Sequence, residues 1–139
     1  MIPLKVKGFA LDQSTQMPIA ILNEERGDRI LPVCVGPAEA SAIIVKLENI
    51  RPARPLTHDL FMTFFLRHGF TLDRVEIYER TMEYTYSSRL RYHRGAKRYC
   101  LEVRPSDGIA LAVRLGAPIV AEESLFSLTA LLPACGMRQ

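Results

Sequence analysis

Two Arg-Pro breaks constrain this chain more than any other feature. RPARP at 51–55 puts prolines at 52 and 55, and each proline, with the restricted residue before it, disfavours helix, so no helix runs through this stretch. Arg104-Pro105 repeats the break further on. After each break comes the same pattern: LTHDLFMTFFLRHG and SDGIALAVRLG share a hydroxyl residue, an early aspartate, an apolar run and an Arg-x-Gly end. The pattern predicts two helices, with Thr57 and Ser106 as N-caps, Asp59 and Asp107 in the first turns, and Gly69 and Gly116 at the ends. The first helix is apolar on nearly every side, which predicts burial in the core or against another subunit.

The rest of the chain arranges itself around these two segments. LKVKGFAL and MPIAIL flank the polar turn DQSTQ and read as a hairpin. After the charged loop NEERGDR, ILPVCVG reads as a short strand, and PAEASAIIVKLENI as a helix with Pro37 early and Glu39 in its first turn. FTLDRVEIYER and MEYTYSSRLRYHRGAKRYCLEV read as strands, the second folding back at HRGAK around Gly95. A short strand, PIVAE, follows the last helix, and the tail from Ser124 is ambiguous between helix and strand.

At 139 residues the chain suits one domain with one core. No apolar run approaches the roughly 18 residues of a membrane span. The N-terminus alternates Lys5 and Lys7 with apolar residues, unlike the unbroken apolar block of a signal peptide. Cys34, Cys100 and Cys135 are odd in number and lack C-x-x-C spacing, so reduced, packed thiols are expected. The expectation is a cytoplasmic protein with no membrane partner.

Three helix starts carry a carboxylate: Glu39, Asp59 and Asp107. Meeting at one sheet edge, they would offer oxygen ligands to Mg²⁺, which could generate hydroxide for attack on a phosphodiester. His58 and Asp59, being adjacent on a helix, point about 100° apart and make a poor dyad. The structural alternative is that each aspartate complements its helix dipole, worth roughly 0.3 to 1 kcal/mol. Between Glu83 and Glu102 no acid occurs, while Arg89, Arg91, Arg94, Lys97 and Arg98 alternate with Tyr84, Tyr86, Tyr92 and Tyr99. Such a ribbon suits phosphate pairing and base stacking, and equally suits a solvated hairpin whose charges discourage edge pairing. Arg51, Arg54 and Arg104 read as structural, and Glu102-Val103-Arg104 is too short a match to a nuclease carboxylate-x-basic arm to use. No phosphate loop, dinucleotide fingerprint, H-E-x-x-H or nucleophile elbow is present in the sequence.

Together, LPVCVGPAEASAI, RPLTHDL and RPSDGIALAVRLGAPI, in that order from Leu31 to Ile119, resemble the bifunctional nuclease domain family. The resemblance implies a self-associating α+β fold and a nuclease acting on DNA and RNA. With the element reading, the expectation is a single α+β domain over residues 1–125, followed by a tail at 126–139. Its sheet would be mixed and largely antiparallel, or barrel-like, with about three α-helices. The positions matching the family blocks are Glu39; Arg54, Thr57, His58 and Asp59; and Arg104, Ser106 and Asp107. Glu102 stands where the family usually has aspartate, and Gly108 where it usually has alanine, a change expected to loosen the helix start by roughly 0.5 to 1 kcal/mol.

These readings make His58, Asp59 and Asp107 the candidate catalytic residues. Asp59, Asp107, Glu39 and Glu102 are the candidate Mg²⁺ ligands, and Arg89, Arg91, Arg94, Lys97, Arg98 and Tyr92 the candidate nucleic-acid contacts. The alternative is a non-catalytic oligomeric module that binds nucleic acid or protein. A small-molecule pocket beside the helix ends, where anions bind readily, is a third reading.

Overall fold

The structure is a computed structural model and describes residues 1–127. The tail expected from residue 126 lies, beyond Ser127, outside the described residues. In chain order the elements are β1 (Ile2–Leu11), β2 (Pro18–Glu24), β3 (Ile30–Cys34), α1 (Pro37–Leu47), α2 (Thr57–Arg67), β4 (Thr71–Met82), β5 (Thr85–Arg94), β6 (Lys97–Val103), α3 (Pro105–Leu115) and β7 (Ile119–Ala121). A 3-10 turn, Glu123–Ser127, closes the described chain. The seven strands form one sheet in the order β3-β2-β1-β7-β4-β5-β6. Every neighbouring pair is antiparallel except β7 and β4, which run parallel because α3 carries the chain back across the sheet. Over the described residues the protein is thus a single α+β domain with three helices and a mixed, largely antiparallel sheet.

The sheet is open, so the barrel-like alternative is not realised. It nevertheless rolls far enough for its two halves to touch. The Cys34 N–H donates to the Tyr84 carbonyl at 2.7 Å, and the buried Tyr86 hydroxyl donates to the Pro32 carbonyl at 3.0 Å. α3 fills the concave side. Ile109, Ala110, Leu111 and Ala112 are all buried against Val75, Ile77 and Leu90 of the sheet and Ala40 and Ile43 of α1. A helix buried on all sides needs small residues where backbones approach, and Gly108 meets that need. A Cβ there would lie 2.7 Å from Val75 Cγ1. Gly108 therefore has a packing role that the expected loosening of the helix start left out.

The helix starts differ from expectation by one residue in α2 and by two in α3. The N-caps of α2 and α3 are Leu56 and Arg104, neither capping through its side chain, and Thr57 and Ser106 lie inside the first turns. Capping at α2 falls instead to Asp59, whose carboxylate accepts the Leu56 N–H at 2.9 Å. The Gly116 end is as expected, left-handed at φ 70°. Of the two burials expected for α2, that in the core is not realised: of its residues only Phe65 is buried, while Leu60 and Phe64 are 67% and 60% exposed. Cys100 departs too from the expected packing, being an exposed free thiol. Among the described residues no helix is long and apolar enough to cross a membrane.

Candidate active site

All three helices place a carboxylate at the third helical position: Glu39 in α1, Asp59 in α2 and Asp107 in α3. The placement suits the positive helix end, but the three groups do not converge. Asp59 turns to α3, where its Oδ1 accepts Arg114 Nε at 2.8 Å. Arg114 is almost wholly buried and also donates to the Ala110 carbonyl at 3.2 Å. The Leu56 N–H holds the Asp59 carboxyl below its ordinary range; burial opposes this and Arg114 reinforces it. Asp59 and Arg114 thus bolt α2 to α3. Arg114 escaped the sequence reading because a basic residue in a last helical turn is normally a solvated dipole partner.

Asp107 makes the contact that the sequence did not suggest. His58 Nε2 lies 3.0 Å from Asp107 Oδ1, across 49 positions of sequence. Arg104 Nε donates to Asp107 Oδ2 at 2.9 Å, and Arg104 Nη2 to Glu39 Oε2 at 3.2 Å. Burial pushes the Asp107 carboxyl up, but hydrogen bonds from Arg104 and His58 outweigh it, and the group stays below its ordinary value. An ionised Asp107 can only accept, so His58 must carry its proton on Nε2, leaving Nδ1 as the ring nitrogen that exchanges protons. The same contacts raise the pKa of Arg104, through Asp107 above all.

This chain of charged groups edges a cavity of about 700 Å³. Glu39, Thr57, His58, Arg104 and Asp107 supply the polar rim, and Phe61, Leu90, Leu101, Val103 and Leu111 supply apolar walls. An apolar cavity with a few convergent polar groups is the usual form of a small-ligand or active site. The arrangement can move a proton through His58 and present a guanidinium to an anion at one mouth. It is a poor cage for Mg²⁺. Arg104 occupies the space between Glu39 and Asp107, Asp59 lies by a separate pocket with Arg114, and Glu102 accepts the Tyr78 hydroxyl beside a third. Among the described residues no group of three or more His, Cys, Asp or Glu could hold a metal.

The remaining sequence candidates are dispersed. Ser106 is buried and Arg54 is exposed. The basic, aromatic ribbon is interleaved in sequence but segregated in space, because alternate strand residues face opposite sides. Arg89 and Arg91 lie on the outer face, both donating to Glu76. Tyr92 points to the helix side, stacked on Tyr99 at 5.1 Å and tilted against Phe65 at 5.4 Å. Arg94 and Lys97 sit over Phe70 and Tyr99 at the hairpin tip, at 5.0 and 5.4 Å, and Arg98 is exposed, 3.8 Å from Asp73. Tyr92 is therefore part of a half-buried aromatic cluster.

Comparison with known proteins gives the family. The profile of the Bifunctional nuclease domain matches residues 20–132. An uncharacterized protein of Mycobacterium tuberculosis is 36% identical over 93% of this chain and 76% of its own length. Bifunctional nuclease 2 of Oryza sativa subsp. japonica is 26% identical over 86% of this chain, and Bifunctional nuclease 1 of Oryza sativa subsp. indica 28% over 78%. This chain spans 38% and 33% of those two rice proteins. On the breadth of the domain match and the similarity to the mycobacterial protein, the chain belongs to the bifunctional nuclease domain family.

Proposed function

We propose that the chain hydrolyses phosphodiester bonds of DNA and RNA at the cavity between the three helices. The observation that carries this reading is the Arg104–Asp107–His58 chain at the cavity rim, in a family whose rice members are named nucleases. Two carboxylates against one guanidinium leave the rim short of positive charge for a phosphodiester. A protonated His58 offsets that deficit, which makes general acid its best-supported role. As water adds to phosphorus and the bond to the leaving oxygen breaks, the imidazolium gives its Nδ1 proton to that oxygen while Asp107 holds Nε2–H; the proton the water sheds passes to solvent, which recharges Nδ1. Arg104 contacts the phosphoryl oxygens, and the apolar walls seat the neighbouring sugar or base. Asp107 acts here as a positioning residue.

The test is cleavage of end-labelled single-stranded DNA and RNA by the purified chain. His58→Ala should lower the rate by roughly 10²-fold or more, and Asp107→Asn should lower it and flatten the acid side of the pH profile. Cleavage by His58→Ala at the parent rate would sink the reading. Magnesium belongs in the same experiment. Because Arg104 stands between Glu39 and Asp107, Mg²⁺ should raise the melting temperature of Arg104→Gln more than that of the parent. An equal rise in both would show a metal bound elsewhere.

A second reading rests on the α2 face. Leu60, Phe61 and Phe64 leave a contiguous apolar strip uncovered, and a patch of this kind favours association with a second copy of the chain. Light scattering would show Phe64→Glu as the smaller species if this face joins copies, and an unchanged mass would dismiss it.

A further inference from the structure

The outer face of the sheet holds a second charged cluster, of opposite balance to the cavity rim. Glu76 lies in the middle of β4 and is only 3% exposed. Three arginines donate to it through Nε: Arg74 at 2.6 Å, Arg89 at 2.7 Å and Arg91 at 3.2 Å. Burial pushes the Glu76 carboxyl up, but the three guanidiniums outweigh it and hold it below its ordinary range. Each guanidinium engaged through Nε keeps terminal Nη groups for a further acceptor. Arg89 is also stacked 4.0 Å over the Tyr78 ring, which limits its freedom.

Beside this cluster β4 bulges. The register shifts between Leu72 and Arg74, so Asp73 drops out of the ladder. Its carboxylate takes His93 Nδ1 at 2.8 Å and faces Arg98 at 3.8 Å. Between the two groups lies a pocket of about 300 Å³ whose lining includes Arg74, Arg91, Arg98 and Asp73. Arg74, Arg91 and Arg98 in its lining, against Asp73 there and Glu76 beside it, leave one positive charge uncompensated around it. A buried carboxylate that pins arginines in place reduces the ordering cost of binding an anion to them. The pocket is at the small end of ligand cavities, with room for one phosphoryl group and part of its carrier.

We propose that this pocket binds a phosphoryl oxyanion, held by Arg74, Arg91 and Arg98 and preorganised by Glu76 and Asp73. Arginine suits the task because its planar fork matches two phosphoryl oxygens at once. The site stands without the cleavage reading, since it lies on the outer face while the cavity is walled by the helix-side residues Leu90 and Leu101. Its ligand is either a phosphate within or at the end of a nucleic-acid strand, or a free phosphorylated molecule.

Binding, not turnover, tests the site. Inorganic phosphate is titrated calorimetrically into the full chain, and anisotropy is read on short 3′-labelled strands ending in 5′-phosphate or 5′-hydroxyl. Arg74→Gln and Arg98→Gln should each weaken binding about tenfold and lower the salt dependence by about one counterion. Glu76→Gln adds net positive charge, so charge alone predicts tighter binding, whereas a preorganised pocket predicts weaker. Equal loss for both strands assigns an internal phosphodiester, loss only for the 5′-phosphorylated strand a terminal one, and loss confined to inorganic phosphate a free ligand. Binding within about twofold of the parent in both Arg74→Gln and Arg98→Gln, for every probe, overturns the proposal. So does tighter binding in a folded Glu76→Gln. Should that variant fail to fold, the two exposed arginine positions carry the test alone.

Discussion

At the cavity rim one guanidinium, Arg104, is shared by two carboxylates, Glu39 and Asp107. On the outer sheet face one carboxylate, Glu76, is shared by three guanidiniums. The same two chemical groups in opposite proportion leave residual charge of opposite sign. The first arrangement calls for a proton or cation and places His58 to supply one, while the second calls for an anion. A third pair, Asp59 with Arg114, is matched one to one and leaves nothing over for a ligand. Among these three, stoichiometry separates the two clusters proposed to take a ligand from the pair that joins helices.

The largest effect should come from breaking the matched pair. Asp59→Ala strands the buried Arg114 charge and should cost about 3 kcal/mol of stability, read from urea unfolding. A cost under about 1 kcal/mol would mean that water replaces Asp59 and that the pair is not a structural bolt. Asp107→Asn keeps the shape of its site, and its first effect should be on cleavage.

Acid should sharpen the comparison next, because each cluster contains a carboxylate whose folded pKa is depressed. The ordinary values are 3.8 for Asp59 and Asp107 and 4.5 for Glu76. The stability these groups contribute is complete above those values and is lost as pH falls through the lower folded ones. Melting temperatures should therefore hold down to about pH 5 and then fall steeply, with a shallower fall in Asp59→Ala. Identical slopes in parent and variant would remove Asp59 from the titrating set.

The smallest effect is at Gly108, which lets α3 lie against the sheet and so positions Asp107. Alanine there gains about 1 kcal/mol of helix propensity and meets Val75 at 2.7 Å, an overpacking cost of roughly 1 to 3 kcal/mol. The net should be a loss of about 1 kcal/mol in thermal unfolding. A stabilised Gly108→Ala would show that Val75 can move aside.

The sequence by itself determined the local order of this protein. Prolines and apolar periodicity place α1, α2 and α3 within a few residues, and the hairpins follow from turn residues between β-type runs, because these preferences act over neighbouring positions. It also placed a carboxylate in the first turn of each of three helices. The alternation rule even contained the segregation of Arg89 and Arg91 from Tyr86 and Tyr92, since their positions differ in parity. Only the tertiary structure decided what each carboxylate meets. His58 and Asp107 are 49 positions apart, and Asp59 and Arg114 are 55 apart. Each pair exists because α2 packs across α3 in the rolled sheet. RPLTHDL and RPSDGIA look alike locally, yet one aspartate closes a helix joint and the other orients a histidine, because hydrogen-bond partners are set by packing at a distance that no local preference encodes.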